Sequence, residues 1–182
     1  METRTDMDIM VPEEYKQLWV QNDDRPVVKY PDEVLRRPAQ QVERVSKATR
    51  TLIDRMKSVM KRANGIGIAA PQLGVSQRVA LIADGRRLIV MVNPVITKSH
   101  GSIIAEEGCL SLPGLYGDVT RNAIIEVEAQ DEEGKRVKLR LEGLPARCAQ
   151  HEIDHLDGIL FIDRVDMATL HWDWPASAEA VK

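Results

Sequence analysis

Cysteine, aromatic residues and long apolar runs are all scarce in this sequence. The 182 residues include only two cysteines, Cys109 and Cys148, which excludes a small fold held together by several disulfides. No segment approaches the roughly 20 apolar residues that a membrane-spanning helix needs. The formal net charge is only −3, so the chain as a whole has no strong attraction for nucleic acid or anionic membranes. We therefore expect no membrane partner and no direct nucleic-acid specificity.

The first residues also lack the features of a targeting segment. They contain no long apolar run, and they carry five acidic residues, Glu2, Asp6, Asp8, Glu13 and Glu14. Both features argue against a secretory signal and against an Arg-rich transit peptide, so a cytoplasmic location is expected. The length suits one domain. We predict an N-terminal extension outside the core over residues 1–25, a catalytic domain over 26–170 and a C-terminal tail over 171–182.

Hydrophobic periodicity predicts two helices and several antiparallel strands. Apolar residues recur at helical spacing from Ser46 to Ala63, with Ser46 as the N-cap and Asn64-Gly65 as the stop. A second helix should begin near Pro145. Strand-like runs at 78–84 and 86–97 predict one hairpin, and the run at 123–143, which turns at Gly134, predicts another whose charged residues face solvent.

The segment HEIDH, residues 151–155, indicates a hydrolytic metal site. His151 and His155 are four residues apart, so a helix projects both imidazoles from one face, with Glu152 beside them. The longer pattern HExxHxxGxxH fits through Gly158 but has Phe161 where a third histidine should stand. A third protein ligand must therefore come from outside this pattern.

The spacing alone leaves the third ligand open. Cys148 shares the helix face, but its Cα would lie about 10 Å along the axis from that of His155, too far for a short thiol. Cys148 is therefore expected in the core or in a pocket wall. Cys109 lies in the segment EEGCLSLPG, where Gly108 allows the backbone to approach an ion, although a lone cysteine in such a loop is more often structural. The full set of candidates is Cys109, Cys148, His100, His171, Asp157, Asp163 and Asp166.

The segment NGIGIAAPQLG, residues 64–74, is the other unusual stretch. Its alternating Gly65 and Gly67 allow a close approach of the backbone to another group. It lacks the Lys-Ser/Thr of a P-loop and the third glycine of a dinucleotide-binding fingerprint, which excludes a nucleotide site of either kind. Gln72 could supply an amide donor to a developing oxyanion, or it could be an ordinary surface side chain.

Three segments together resemble the signature motifs of the peptide deformylases, in the same order along the chain. They are GIGIAAPQ (65–72), EGCLS (107–111) and HEIDH (151–155), and the resemblance extends over roughly residues 27–166. It implies an α+β fold in which antiparallel β-sheets surround a central helix that carries HEIDH.

The resemblance also implies a metal site and a set of catalytic residues. Cys109 becomes the third ligand beside His151 and His155, and the metal is Fe²⁺, for which Zn²⁺, Ni²⁺ or Co²⁺ can substitute. Glu152 acts as general base and then as general acid on a water that the metal activates. The developing oxyanion accepts hydrogen bonds from the Gln72 amide and the Leu110 backbone N–H.

The implied reaction is hydrolytic removal of the N-formyl group from the N-terminal formylmethionine of newly synthesised peptides, with release of formate. The substrate-binding residues carried over from the family are Gly65, Ile66, Gly67, Leu144 and Cys148. Nascent N-formylmethionyl peptides are the implied partners, and a position near the ribosomal exit tunnel follows from that substrate.

Two further positions carry expectations of their own. Tyr116 stands where some bacterial members place an arginine near the peptide backbone, which changes the expected contacts to the peptide. Arg121 matches a family arginine, and we expect it to pair with Glu107 and to brace the loop of Cys109.

Two alternative functions compete with this interpretation. A zincin-type metallopeptidase shares HExxH and the role of Glu152, but it usually takes its third ligand from downstream, where Phe161 stands. An inactive metal-binding homologue would keep the fold without the chemistry, although all the residues that the chemistry needs are present.

Overall fold

The computed structural model describes residues 7–85 and 87–174. These residues form two α-helices and eight strands. Short 3₁₀-helices lie at Glu13–Trp19, Glu33–Leu35, Ala70–Leu73 and Phe161–Asp163. The helices are α1, Lys47–Arg62, and α2, Leu144–Leu156. Both helices lie where hydrophobic periodicity predicted them.

Helix α1 begins and ends at local signals in the sequence. The Ser46 hydroxyl accepts a hydrogen bond from the Thr49 N–H, and the Thr49 hydroxyl accepts one from the Ser46 N–H, so the two residues form a capping box. The helix ends before Asn64, which adopts a left-handed conformation with φ of 51°. Its buried face includes Ile53 and Met56, which are fully enclosed.

The larger sheet has five antiparallel strands in the order β1-β2-β3-β6-β7. The strands are β1 Gly67–Ala69, β2 Val79–Asp84, β3 Arg87–His100, β6 Ile124–Gln130 and β7 Arg136–Glu142. The predicted hairpins β2-β3 and β6-β7 are confirmed. On the solvated face of the second hairpin, Glu128 pairs with Lys138, whereas Glu126 pairs with Lys98 of β3.

This sheet lies between the two helices. Along β2, Leu81 points to the side of α1, while Ala80 and Ile82 point to the side of α2, because alternate side chains of a strand face opposite sides of a sheet. Strand β2 is therefore buried on both faces, and this explains its nearly continuous apolar sequence. Helix α2 packs directly on β1, β2 and β7.

The smaller sheet has three antiparallel strands in the order β4-β5-β8. They are β4 Ile103–Cys109, β5 Leu112–Arg121 and β8 His171–Trp172. A bulge between Gly108 and Cys109 ends the regular pairing of β4 with β5. The predicted α+β class, with antiparallel sheets around the helix of HEIDH, is confirmed.

The described part of residues 1–25 corrects one expectation, since it does not lie outside the core. Met7, Ile9 and Trp19 pack against the cluster of buried residues that contains Leu115 of β5, and the Tyr30 hydroxyl donates to the Met7 carbonyl at 2.7 Å. The apolar residues of this segment are too few and too widely spaced to form a periodic pattern, so the sequence did not indicate the docking. No described helix is both long and apolar enough to span a membrane.

Candidate metal centre and its cleft

Helix α2 presents two histidines one turn apart toward the end of strand β4. The rings of His151 and His155 lie edge to face with centroids 5.0 Å apart, and the Cys109 Sγ is 3.2 Å from the His155 Nε2. One potential ligand atom from each of Cys109, His151 and His155 lies within 4.8 Å of the others. A thiolate and two imidazoles form a ligand set typical of a divalent transition metal.

The other candidate ligands lie in different surroundings. The Cys148 thiol is buried and donates to the Ile66 carbonyl at 3.2 Å, as expected for a pocket wall. Asp157 pairs with Arg78, and Asp163 pairs with Arg36. Among the described residues, no cluster of three ligands includes His100, His171 or Asp166.

Cys109 and His151 are both shifted toward their charged forms. Burial opposes ionisation of the Cys109 thiol, but the adjacent His155 and His151 outweigh it and hold its pKa well below the ordinary value. Burial likewise opposes protonation of His151, but its bonds to Cys109 and Glu107 raise its pKa well above the usual range. The protein thus already stabilises a thiolate at the position where a metal would need one.

A buried network of charged side chains orients His151. The His151 Nδ1 lies 3.0 Å from Glu107 Oε2, which directs its other ring nitrogen toward Cys109. The Arg121 guanidinium donates two hydrogen bonds of 2.9 Å to the Glu107 carboxylate and also bonds Asp154. Arg147 donates to the same carboxylate at 2.7 Å. The predicted pair between Arg121 and Glu107 is therefore present.

Glu152 is buried beside the cluster and keeps one oxygen free. Its Oε2 has no hydrogen-bond partner among the described residues. Burial is the main reason that the pKa of Glu152 rises to about 7, and the two histidines only partly oppose that rise. A Cβ on Gly67 would come within 2.6 Å of the Cys148 Sγ and would also clash with Glu152, so only glycine fits at this position. A carboxyl group with this pKa can both accept and donate a proton near neutral pH.

Gln72 and Leu110 also adjoin Cys109. Gln72 is buried, and its Oε1 accepts a hydrogen bond from the Ala69 N–H at 2.9 Å. Its Nε2 is thereby turned toward the Cys109 Sγ at 3.6 Å and the Ser111 Oγ at 3.3 Å. Leu110 follows Cys109 directly, and its carbonyl accepts from the Lys29 Nζ at 2.8 Å.

These groups line one cleft of about 600 Å³. Gly65, Ile66 and Gly67 form one wall, and Leu144 and Cys148 of α2 form another. Ile66 and Leu144 are 50% and 59% exposed and lie in the same cleft, so together they offer an apolar surface to a ligand. The cleft is larger than a single side chain requires. All the residues predicted to bind substrate therefore line the same cleft as Cys109 and His151.

The sequence did not predict several residues that line the cleft. Val59 and Arg62 of α1 and Arg147 of α2 line the cleft, as do Leu18 and Arg25 of the N-terminal segment. Arg147 could have been suspected, because an arginine four residues before His151 lies on the same side of the helix. Leu18 and Arg25 gave no signal, since only tertiary packing brings them to the cleft.

Comparison with known proteins places this geometry in a family. The sequence model described as "Polypeptide deformylase" matches residues 24–170. A peptide deformylase of Pelotomaculum thermopropionicum is 46% identical over 138 residues, which are 76% of this chain and 89% of that protein.

Solved structures agree with the sequence matches. The crystal structure of peptide deformylase from Thermus thermophilus superposes with a TM-score of 0.75 at 51% identity, covering 79% of this chain and 86% of that one. A peptide deformylase from Synechococcus elongatus in complex with actinonin superposes with a TM-score of 0.75 at 43% identity, covering 77% and 78%.

Proposed function

Because the chain belongs to the polypeptide deformylase family, we propose that Cys109, His151 and His155 hold its metal and that Glu152 moves the protons of the reaction. The enzyme is a hydrolase that removes the N-formyl group from nascent peptides, and the family is metal-dependent. The observation that carries the assignment is the cluster of one thiolate and two imidazoles beside a buried carboxyl with a free oxygen.

The proposed native metal is Fe²⁺, as the resemblance of the three motifs to the family implies, with Zn²⁺, Ni²⁺ or Co²⁺ as substitutes, since thiolate and imidazole ligands suit all four ions. A divalent metal held there supplies Lewis-acid activation of water and of the formyl carbonyl. Glu152 accepts the proton of the attacking water through its free Oε2, as the new C–O bond forms. It then donates that proton to the amine nitrogen as the C–N bond breaks, which releases formate and a free N-terminal methionine.

The charge that develops on the formyl oxygen needs donors that are already in place. The Gln72 Nε2 is suited to this role, because the bond from the Ala69 N–H to its Oε1 fixes which end of the amide faces Cys109. The Leu110 backbone N–H is the second proposed donor. Fixed donors of this kind avoid the cost of reorganisation during the reaction.

The proposed methionine pocket is formed by Gly65, Ile66, Gly67, Leu144 and Cys148. An unbranched thioether suits these apolar walls, and the buried Cys148 thiol is already satisfied by the Ile66 carbonyl. Strands β1 and β4 are edge strands of their sheets and supply the residues 67 and 106–109 of the cleft, so an extended peptide could add to either edge.

The proposed partners are N-formylmethionyl nascent peptides met near the ribosomal exit tunnel, with a cytoplasmic location and no membrane or nucleic-acid partner. Residues 26–170 are the proposed catalytic domain, which agrees closely with the family match from residue 24 to 170.

A formate-release assay tests the function directly. Protein purified without oxygen should contain iron by metal analysis and should release formate from formyl-Met-Ala-Ser. It should leave casein intact, which separates this activity from that of a zincin-type peptidase. Casein cleavage without formate release would overturn the proposal, and an active-site cluster that binds metal without either activity would indicate an inactive homologue.

A further inference from the structure

A segment that precedes most of the family match runs along the substrate cleft. We name residues 13–25 the N-terminal strap. It consists of the 3₁₀-helix Glu13–Trp19 and a turn in which the backbones of Asn22 and Arg25 bond each other at 3.0 and 3.2 Å. The Asn22 side chain also accepts from the Asp24 and Arg25 N–H groups. The strap therefore has a defined conformation, although its helix contains no buried residue.

One side of the strap is fixed to strand β5. Tyr15 and Trp19 of the short helix are half-buried and make the contacts to β5, whereas Glu14, Lys16 and Gln17 are exposed. The Trp19 Nε1–H donates to the Pro113 carbonyl at 2.9 Å. The Tyr15 ring covers Gly114, where an added Cβ would lie 2.7 Å from the Tyr15 Cδ1. The strap is thus anchored a few residues after Cys109.

Trp172 of strand β8 and Trp174 also contact the strap, through the same two aromatic residues. The Trp172 ring lies 5.1 Å from that of Tyr15 and 6.1 Å from that of Trp19, and the Trp174 ring lies 5.5 Å from that of Tyr15. Trp172 is itself opposite Leu115 in the pairing of β5 with β8. Aromatic contacts of this kind give a stable seat to a segment without a core of its own.

Other residues of the strap line the cleft. Leu18, Asp24 and Arg25 line the same cleft as Cys109, His151 and Glu152, and Leu18 is half-buried. The Arg25 guanidinium donates to the Gln17 carbonyl, which ties the two ends of the strap together. Lys29 also lines the cleft and bonds the Leu110 carbonyl, so two cations lie along this wall.

We propose that the strap is a substrate-binding wall that contacts the nascent peptide beyond its formylmethionine, with Leu18 packing on the chain and Arg25 binding its oxygen atoms. This proposal rests on the proposed function. The cleft of about 600 Å³ exceeds what a methionine side chain fills, and the strap supplies lining residues other than those of the proposed methionine pocket. A guanidinium suits backbone carbonyl oxygens and carboxylates, because it offers several donors in a fixed plane.

Peptide length provides the test. Contacts remote from the reacting bond that are equal in the ground and transition states change KM and leave kcat unaltered. The test therefore measures kcat and KM for formyl-Met-Ala and for formyl-Met-Ala-Ser-Leu-Glu, with the full chain loaded with Ni²⁺. Leu18→Ala and Arg25→Ala should each raise the KM of the longer peptide roughly fivefold to tenfold, and should leave the dipeptide within about twofold. Lys16→Ala is the matched control, since Lys16 lies on the exposed side of the same helix and pairs only with exposed Glu13 among the contacts described.

Tryptophan fluorescence separates a lost contact from a displaced strap. The chain contains three tryptophans, and all three, Trp19, Trp172 and Trp174, belong to the aromatic cluster that seats the strap. The emission maximum of Leu18→Ala and Arg25→Ala should match that of the wild type. Trp19→Ala should unseat the strap, shift the remaining emission to longer wavelength and reproduce the loss for the longer peptide alone.

The outcomes are distinct. A selective rise in KM for the longer peptide, with unchanged emission in the first two variants, supports the proposal. Wild-type KM values for both peptides in all variants overturn it. An equal rise in KM for both peptides also overturns it, because the strap would then support the metal site and would not be a substrate wall. If the wild type releases no formate even from the dipeptide, the proposed function itself fails, and that result cannot be confused with a failure of the strap.

Discussion

Glu152 combines two properties that most buried carboxyl groups do not share. It has a free oxygen inside the protein, and burial raises its pKa to about 7, so it can hold or release a proton under working conditions. We expect Glu152→Gln to keep the metal and the fold but to lose at least about 100-fold in kcat, because the amide cannot carry the proton. Metal content and formate release, measured on the same preparation, check this expectation.

The control for that substitution is Glu128→Gln, which changes an exposed carboxylate on the solvated face of β6 and should leave kcat unchanged. A fully active Glu152→Gln enzyme that still carries its metal would show that another group moves the proton.

The two cysteines differ in environment, and this difference yields a second expectation. His155 and His151 hold the pKa of Cys109 well below its ordinary value although burial opposes this, whereas burial near Glu152 and Glu107 raises the pKa of Cys148 well above its ordinary value. Cys109→Ser should lose most bound metal and activity, because a hydroxyl is a poor substitute for thiolate. Cys148→Ser should keep its metal and lose mainly affinity for the methionine side chain. Aerobic storage should inactivate the iron form by oxidation at Cys109.

Cobalt substitution gives an independent measurement for the same pair. The Co²⁺ protein should show a sulfur-to-metal charge-transfer band that persists in Cys148→Ser and disappears in Cys109→Ser. A band that disappeared with Cys148 instead would mean that Cys148, and not Cys109, is the third ligand.

At the scale of single residues, the candidate metal-site residues of α2 could be predicted because they form a local sequence motif. Spacing on a helix was enough to bring His151 and His155 together, and the rise of the helix correctly separated Cys148 from them. The position of Cys109 depends on how β4 ends beside α2, which no local pattern determines. It was assigned only through the resemblance of three motifs to a family.

Helices and hairpins were predicted better than the smaller sheet, for physical reasons. The cap at Ser46 and the turn at Gly134 are local features, so α1 and the β6-β7 hairpin can be predicted from the sequence. Strands β4 and β5 contain Gly108, Pro113 and Gly114, which ordinarily indicate loops. They form strands here because they pair with each other and pack on buried residues such as Phe161.

Strand β4 and helix α2 are joined by the buried charge network around Arg121, and this gives the third expectation. Arg121 is almost completely enclosed and bonds Glu107 of β4 and Asp154 of α2. Arg121→Met should lower the free energy of unfolding by about 3 kcal/mol, because it leaves two buried carboxylates with fewer partners. Urea unfolding of the metal-free protein measures the change.

Arg140→Met is the comparison for that measurement, since Arg140 forms only an exposed ion pair of 3.5 Å with Glu142 and should cost well under about 1 kcal/mol. Arg147 and Arg164 remain as partners of Glu107 and Asp154 in the Arg121 variant. If Arg121→Met lowers the free energy of unfolding as little as Arg140→Met does, Arg147 and Arg164 compensate fully, and Arg121 is not the residue that links β4 to α2.

In the whole molecule, the proposed metal joins two parts of the fold that otherwise meet through side chains. Cys109 ends a strand of the smaller sheet, while His151 and His155 belong to the helix that packs on the larger sheet. A ligand that binds only the folded state stabilises it by mass action. The metal should therefore contribute to global stability as well as to catalysis.

We expect removal of the metal by a chelator to lower Tm by several degrees and addition of Ni²⁺ to restore it. A metal present at a free concentration roughly 100-fold above its Kd adds about 2.7 kcal/mol to the free energy of unfolding. Hydrogen exchange should locate the loss at residues 107–111 and in α2, since the metal links these two segments. Cys109→Ser should show a low Tm that neither chelator nor Ni²⁺ alters, whereas Cys148→Ser should respond as the wild type does. A Tm that is independent of metal in the wild type would mean that the charge network of Glu107, Arg121 and Asp154 already holds β4 against α2, and that the three ligands are arranged before any metal binds.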